Sequence, residues 1–308
     1  MNKQVFDIAV LGAGAAGLFA AGLLKGKSVV IIEGNKSAGL KVLASGGGLC
    51  NFGNKHVSPA DYFGANPKFC ASALAGFKAM DFAAFLDKRH VKWRERQDGK
   101  LFAESSAAVL DALLAEIDKT AVFAFKNKIG KVVKAGDIFE VYTDRQIFCA
   151  RNVICALGGL SYPALGATGA AYDIAKSFGL RVTPVYPALT GVLFGGFAPL
   201  AGISCAAALK CAGRAVQGDI LFTHGGLSGP AVFDLSLHNL AGKEIIINFL
   251  PGADVKELLL KNKTSVKKPS ALLHGLLPKR LLETLAGAND GQISNLNKAQ
   301  INALAQNF

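Results

Sequence analysis

Gly12, Gly14 and Gly17 fall together in VFDIAVLGAGAAGLFAAGLL, where an apolar run gives way to small, helix-forming residues. Sixteen residues past Gly17, after a second apolar run over 28–32, comes Glu33. A strand, a glycine turn, a helix, a second strand and an acid in this register restrict the segment to a βαβ unit that binds a dinucleotide. Each position has its own physical reason. Gly12 allows the tight turn, Gly14 lets backbone approach a pyrophosphate, and Gly17 lets the helix lie close on the strand. The helix start adds unpaired N–H groups and a positive dipole end for the phosphates. Glu33 can accept hydrogen bonds from a ribose 2′-hydroxyl and favours an unphosphorylated ribose.

The same stretch has the outline of an export signal, because Lys3 precedes it. Asp7 and the glycines argue against that, since they weaken the apolar helix such a signal needs. Residues 8–24 also fall short of the roughly 20 needed for a membrane span. The chain is therefore expected to be cytoplasmic, with reduced thiols and no membrane partner. Its six cysteines (Cys50, Cys70, Cys149, Cys155, Cys205 and Cys211) form no CxxC pair and no cluster with histidine, so no metal is expected. Cys50, set among glycines, reads as a small buried thiol.

With 308 residues, 51 % of them hydrophobic, the chain is long enough for two domains with sizeable cores. The formal net charge is +12, concentrated at 88–96 (KRHVKWRER) and 261–268 (KNKTSVKK). Such a surface attracts polyanions, and Trp93 has the chemistry to stack on a base. The reading taken here is a solvated basic face on an enzyme, without nucleic acid as a partner and with a small molecule as substrate.

Residues 39–54 (GLKVLASGGGLCNFGN) are too glycine-rich for a continuous helix and read as a loop with a short helical piece. Helices are predicted near 67–89 and 105–119, the second capped by Ser105 or Ser106, with a hairpin between them turning at Asp98-Gly99. From Ala121 the period changes to two, and a β-meander is expected over about 121–157, with turns at Gly130, Gly136-Asp137 and Asp144-Arg145. A helix over 168–178 stopped by Gly179 follows. Two prolines at 183–190 mark a boundary; beyond it 191–250 is strand-rich and the remainder helical, with Asp254 as a cap. The resulting division is 1–186, 187–250 and 251–308.

Three further segments carry chemistry. Ser45, Gly46, Gly47 and Gly48, with Lys41 upstream and Asn51 downstream, make a second phosphate-sized glycine loop, placed where ligands of open α/β sheets bind. ALGGLSYPALGATG (156–169) brings two glycines to a flat ring system while Tyr162-Pro163 sets the loop's path. FTHGGLSGPAVFDLS (222–236) lacks a GxSxG elbow, so it reads as a strand-to-helix turn capped by Ser228, not as a nucleophile site. No second GxGxxG occurs after residue 34, which leaves one dinucleotide site.

SGGGLCN, ALGGLSYPALGATGAAYDIAKSFG and LFTHGGLSGPAVFDLS, behind GAGAAG and Glu33, together resemble the bacterial NAD(P)/FAD-dependent oxidoreductases of the BaiN/RdsA type, or aminoacetone-oxidase-like flavoproteins. PALTGV and LPKRL also look like that family, and the resemblance runs from about residue 4 to the end. It implies an α/β fold: a glutathione-reductase-like FAD-binding Rossmann domain with an inserted β-barrel-like domain and a small helical domain. It implies that Gly12, Gly14, Ala16 and Gly17, with Ala15, hold the pyrophosphate of FAD, and that Glu33, with Gly34, holds the adenosine ribose. Lys41 and Ser45–Gly48 would lie along the flavin side with Asn51 close by, Ala156, Gly158 and Gly159 would line the FAD again, and Ile129 would touch the adenine.

This chain departs from the family in having Leu40 and Leu49 where arginine is usual, which removes two cations from the ligand's surroundings. The family also continues into a GE…GGYN-like return segment not found before Phe308, so weaker FAD binding and an uncovered apolar patch are expected. The implied activity is transfer of hydride from NAD(P)H through flavin N5 to a small organic acceptor or O₂. The alternatives are an FAD-poor protein with little turnover, or a flavin-dependent RNA-modifying enzyme with salt-dependent RNA binding.

Overall fold

The computed structural model describes residues 4–66, 68–238 and 240–308, in two compact units that divide between Thr183 and Pro184. Lys3, and Pro67 at the start of one predicted helix, lie outside the described residues.

In the first unit β1 (Val5–Leu11) and β2 (Val29–Ile32) flank α1 (Ala15–Gly22) and pair in parallel, Leu11 opposite Ile32. β2 is buried along its whole length, as expected of a parallel strand covered on both faces. Three loop elements follow: α2 (Leu40–Ala44), a 3-10 turn over Ser45–Gly48, and β3 (Asn51–Asn54). Next come α3 (Ala71–Gly76) and α4 (Ala79–Asp87). The single helix predicted near 67–89 is broken because Phe77 and Lys78 are extended, with Lys78 N–H donating to Asp81 Oδ2 at 2.7 Å to start α4. β4 (Trp93–Glu95) and β5 (Lys100–Ala103) form the predicted hairpin, joined through Gly99 at φ +75°. α5 (Ser106–Ala115) begins on Ser105, whose hydroxyl accepts from Ala108 N–H at 3.2 Å.

The expected meander is taken up by the main sheet. β6 (Val122–Ala124) pairs in parallel with β2, while β7 (Ile129–Ala135), β8 (Ile138–Thr143) and β9 (Ile147–Cys155) are antiparallel to one another. The sheet order is β6-β2-β1-β9-β8-β7. RQIFCA and RNVICAL, which look like two strands, are one: the first half of β9 pairs with β8 and the second half runs parallel to β1. Arg151 and Asn152 sit exposed in mid-strand, where Asn152 Nδ2 donates to Asp7 O at 3.2 Å. Gly130 is a register irregularity in β7 and not a turn. α6 (Ala170–Ser177) closes the unit and ends at Gly179, φ +72°. Alternate residues of β1 and β2 feed two cores: Val10 and Ile31 join Leu18 and Leu113 of α1 and α5, while Leu11, Val30 and Ile32 join Ile174 of α6.

The second unit has an antiparallel sheet. β10 (Val192–Leu193), β11 (Ser204–Cys211), β12 (Arg214–Thr223), β13 (Gly226–Ser228) and β14 (Ile246–Asn248) take the order β10-β13-β12-β11-β14. α7 (Pro230–Ser236) follows β13. Its cap is Gly229 at φ +105°, not the predicted Ser228, because a Cβ there would lie 2.8 Å from Asp219 O. α8 (Val255–Lys261), α9 (Pro269–Leu272), α10 (Lys279–Ala286) and α11 (Lys298–Ala305) complete the unit. The strand-rich and helical stretches, divided in the sequence reading at 250, share one core: Phe222, Leu235, Leu259, Leu281 and Leu304 belong to a single buried cluster. Asp254 caps α8 as predicted, its Oδ1 accepting from Glu257 N–H at 2.9 Å. Asp254→Ala is expected to lower stability by about 1 kcal/mol, measurable as a shift of the urea midpoint at unchanged slope.

Candidate functional site

A cleft of about 910 Å³ opens in the first unit, at the end of the sheet where β1 and β9 give way to their loops. The three glycines of the first turn serve it for three different reasons. Gly12 has φ +99°, and a Cβ on it would stand 2.7 Å from Ala156 O, so both conformation and the neighbouring β9 chain demand glycine. Gly17 is buried beneath the turn, where a Cβ would overlap the Gly12 carbonyl oxygen. Gly14 differs: its backbone is ordinary, at φ −81°, and a Cβ on it would meet nothing within 4 Å. The room at Gly14 belongs to the cleft. Behind it α1 starts with exposed Ala15 and Ala16, and the first N–H groups of a helix have no intrahelical acceptor.

Glu33 ties this turn down. Its Oε2 accepts from Ala13 N–H at 2.8 Å, and its Oε1 accepts from the backbone N–H and the side-chain amide of Asn35 at 2.8 and 2.9 Å. Asn35 Nδ2 also reaches Leu165 O at 3.4 Å, joining the loop after β2 to the loop after β9. A carboxylate has about four lone-pair sites, so Glu33 keeps acceptor capacity for a hydroxyl while it braces the glycine turn. Glu33→Ala is expected to weaken FAD affinity about 10- to 100-fold, the value of charge-assisted hydrogen bonds, as read by fluorescence titration of the apoprotein.

Of the residues singled out in the sequence, Gly12, Gly14, Ala15, Ala16, Glu33, Gly34, Lys41, Ser45, Asn51, Ile129, Ala156 and Gly158 line the cleft. Gly17, Gly46, Gly47, Gly48 and Gly159 are absent from its wall. Gly46 and Gly47 are left-handed within an exposed turn that closes on itself, Leu49 N–H donating to Gly46 O and Cys50 N–H to Ser45 O. The wall is therefore met at the two ends of the loop, Ser45 and Asn51, and not at its glycines. Gly159 turns to α6, where a Cβ would stand 2.9 Å from the Tyr172 hydroxyl. Lys41, exposed on α2, brings its Nζ to 4.0 Å from the position a Cβ of Gly158 would take.

Sequence reasoning missed Asn35, Lys128, Leu165 and Gly166 on the cleft wall, and an apolar part of that wall made by Phe19, Phe52, Phe77 and Phe82. Phe19 packs on Phe77 with ring centroids 5.2 Å apart, and Phe52 on Phe82 at 5.6 Å. The spacing of Phe77, Phe82 and Phe85 was available as a signal, but it reads equally as an ordinary helix core. Cys50 is buried and reaches the wall. Outside the cleft, burial together with Asp219 pushes the half-buried Cys205 thiol up, away from reactivity.

The HI0933-like protein Rossmann domain matches residues 6–263. The chain belongs to that family. Its fold is that of an FAD-dependent oxidoreductase. Three relatives lie close in sequence to this chain. A ribosomal RNA dihydrouridine synthase of Escherichia coli (strain K12) is 36 % identical, over 98 % of this chain and 78 % of the relative. The protein of that name from Haemophilus influenzae is 34 % identical, over 98 % and 80 %. A 3-dehydro-bile acid delta(4,6)-reductase of Clostridium scindens is 30 % identical, over 90 % and 74 %. No helix among the described residues is long and apolar enough to cross a membrane.

FAD suits the residues present. The open space at Gly14 is what close approach of a pyrophosphate needs. The cleft volume falls within the about 300–1,000 Å³ common for ligand pockets.

Proposed function

We propose that this protein is a flavin-dependent reductase of a carbon–carbon double bond conjugated to a carbonyl, drawing its electrons from NAD(P)H. The observation that carries the reading is that relatives with dissimilar substrates bear names for one chemistry. Dihydrouridine is uridine with the ring double bond beside a carbonyl saturated; a delta(4,6) 3-dehydro bile acid carries double bonds conjugated to a 3-oxo group. Bound FAD supplies the hydride relay between donor and acceptor.

The chain's own residues bind and orient. Gly12, Gly14 and the start of α1 would receive the pyrophosphate, Glu33 the ribose, and Ile129 the adenine. Lys41, beside Gly158, would set a positive charge toward the flavin side, where reduction adds negative charge. Ser45 and Asn51 would offer hydrogen bonds at the same end, and Phe19, Phe52, Phe77 and Phe82 would give the bound group an apolar wall.

The test is an anaerobic absorption spectrum of the purified protein before and after NADH or NADPH, followed by addition of a cyclic enone or of ribosomal RNA. Bleaching of the flavin bands, then their return with acceptor, is the expected result. Bands unmoved by either nicotinamide would remove the donor half of the reading, and bands bleached for good would remove the acceptor half.

A second reading, uridine within ribosomal RNA as the acceptor, draws on the net charge of +12 together with the 36 % identical relative. It reverses the expectation that nucleic acid is not a partner. Affinity for ribosomal RNA would then fall by about 10³ between 50 and 200 mM salt for some six phosphate contacts. Binding indifferent to salt would leave the small-molecule acceptor.

A further inference from the structure

The loop joining β9 to α6 touches the cleft twice, at Gly158 and again at Leu165 and Gly166. Between those points Leu160 and Tyr162 are both exposed. Tyr162, near the apex, has φ +60° and ψ +67°. That left-handed region crowds any residue with a Cβ, and a following proline, here Pro163, further disfavours helical values in the residue before it. Packing gives no compensation. The tyrosine is 70 % exposed, and among the described residues its ring meets no other aromatic ring and its hydroxyl has no hydrogen-bond partner.

The strained turn is nonetheless firmly held. Tyr162 O accepts from Leu165 N–H at 2.9 Å, and Pro163 O accepts from Gly166 N–H at 2.9 Å. Leu165 O in turn accepts from Asn35, which is bonded to Glu33. An exposed aromatic residue is thus locked in an unfavourable backbone conformation and tied to the acid that braces the glycine turn. Backbone strain kept without a packing reason is a mark of functional loops.

We propose that Tyr162 is the surface against which the planar unsaturated ring of the substrate stacks; the proposal rests on the reading of the protein as a reductase of a conjugated double bond. The face of a tyrosine ring accepts a uracil ring or a cyclic enone alike, because stacking needs a flat π-system and not a particular hydrogen-bond pattern. Leu160, also exposed, extends the same apolar apex. Tyr162 binds and orients in this scheme and exchanges no proton.

The test compares wild type, Tyr162→Phe and Tyr162→Gly, each purified with its flavin, using uridine and 2-cyclohexenone as probes and the flavin absorbance shift as readout. All three are expected to carry equal flavin. Tyr162→Phe should bind both probes as wild type does, and Tyr162→Gly about tenfold more weakly. The same Tyr162→Gly protein should melt higher, by about 1–3 °C, because glycine occupies the left-handed region freely. A gain in Tm with a loss in affinity is a pair of signs that a structural tyrosine would not produce.

A Tyr162→Gly protein that binds like wild type, or melts lower, overturns the proposal. Equal losses in Tyr162→Phe and Tyr162→Gly would move the role to the hydroxyl and overturn stacking. A flavin-loaded wild type that binds neither probe overturns stacking and leaves the oxidoreductase reading standing. A wild type that takes up no flavin overturns both.

Discussion

A Gly14→Val protein is expected to fold normally and to leave purification without its yellow colour. The backbone at Gly14 is one that valine adopts, at φ −81°, and a Cβ there would touch nothing within 4 Å, so the protein itself has no objection to the change. The added methyl groups would stand in the open space of the cleft, where a pyrophosphate must come close to backbone. Overpacking of this kind corresponds to an affinity loss of about 10- to 100-fold or more. The measurement is the ratio of flavin to protein absorbance, alongside a thermal melt. Gly17→Val is the control of opposite character: its Cβ would overlap the Gly12 carbonyl oxygen, so it should lose stability and flavin together. Full flavin content in Gly14→Val would mean that the dinucleotide lies elsewhere.

Phe222→Ala should cost about 3–5 kcal/mol, the range for removing a buried aromatic side chain. Phe222 is 1 % exposed, stacks on Phe249 at 6.1 Å between ring centroids and meets Phe197 edge-on at 5.1 Å. Its neighbours in the buried cluster come from α7, α8, α10 and α11 as well as from strands. The loss should therefore reach strands and helices of the second unit together, as one shifted transition in urea seen by far-UV circular dichroism. A helical signal that persists after the strands have melted would show that 251–308 stands alone, as the sequence division at 250 implied.

Much of the first unit could be read from the chain because its signals are local. Strand β1, the glycine turn, α1, β2 and Glu33 follow one another within the 29 residues from Val5 to Glu33 and depend on backbone conformation and steric room at named positions. The Ser105 and Asp254 caps and the Asp98-Gly99 turn were legible for the same reason: a side-chain oxygen or a positive φ acts on its own neighbours. The breaks were less visible. Phe77-Lys78 interrupts a good helical pattern, and RQIFCA and RNVICAL look like two strands but form the single strand β9.

The cleft wall divides along the same line. Gly12, Gly14, Glu33 and Ala156 were found from spacing or family likeness, and all reach the wall. Gly46, Gly47 and Gly48 looked equally suitable, yet their turn closes on its own backbone and presents Ser45 and Asn51 instead. Asn35 could not be picked out beforehand, because its use depends on Leu165, 130 residues away.

By itself the sequence determined a βαβ dinucleotide site, with a distinct steric or electrostatic reason at each of Gly12, Gly14, Gly17 and Glu33. Only the tertiary structure decided that β6 joins β2 in the main sheet, that strands and helices beyond 184 share a core, and that an exposed tyrosine is held in strain between two cleft contacts. The physical reason is range. Turns, caps and glycine positions are set by atoms a few bonds away, whereas strand pairing, shared cores and clamped loops come from groups far apart in the chain, and no local pattern records which of them will meet.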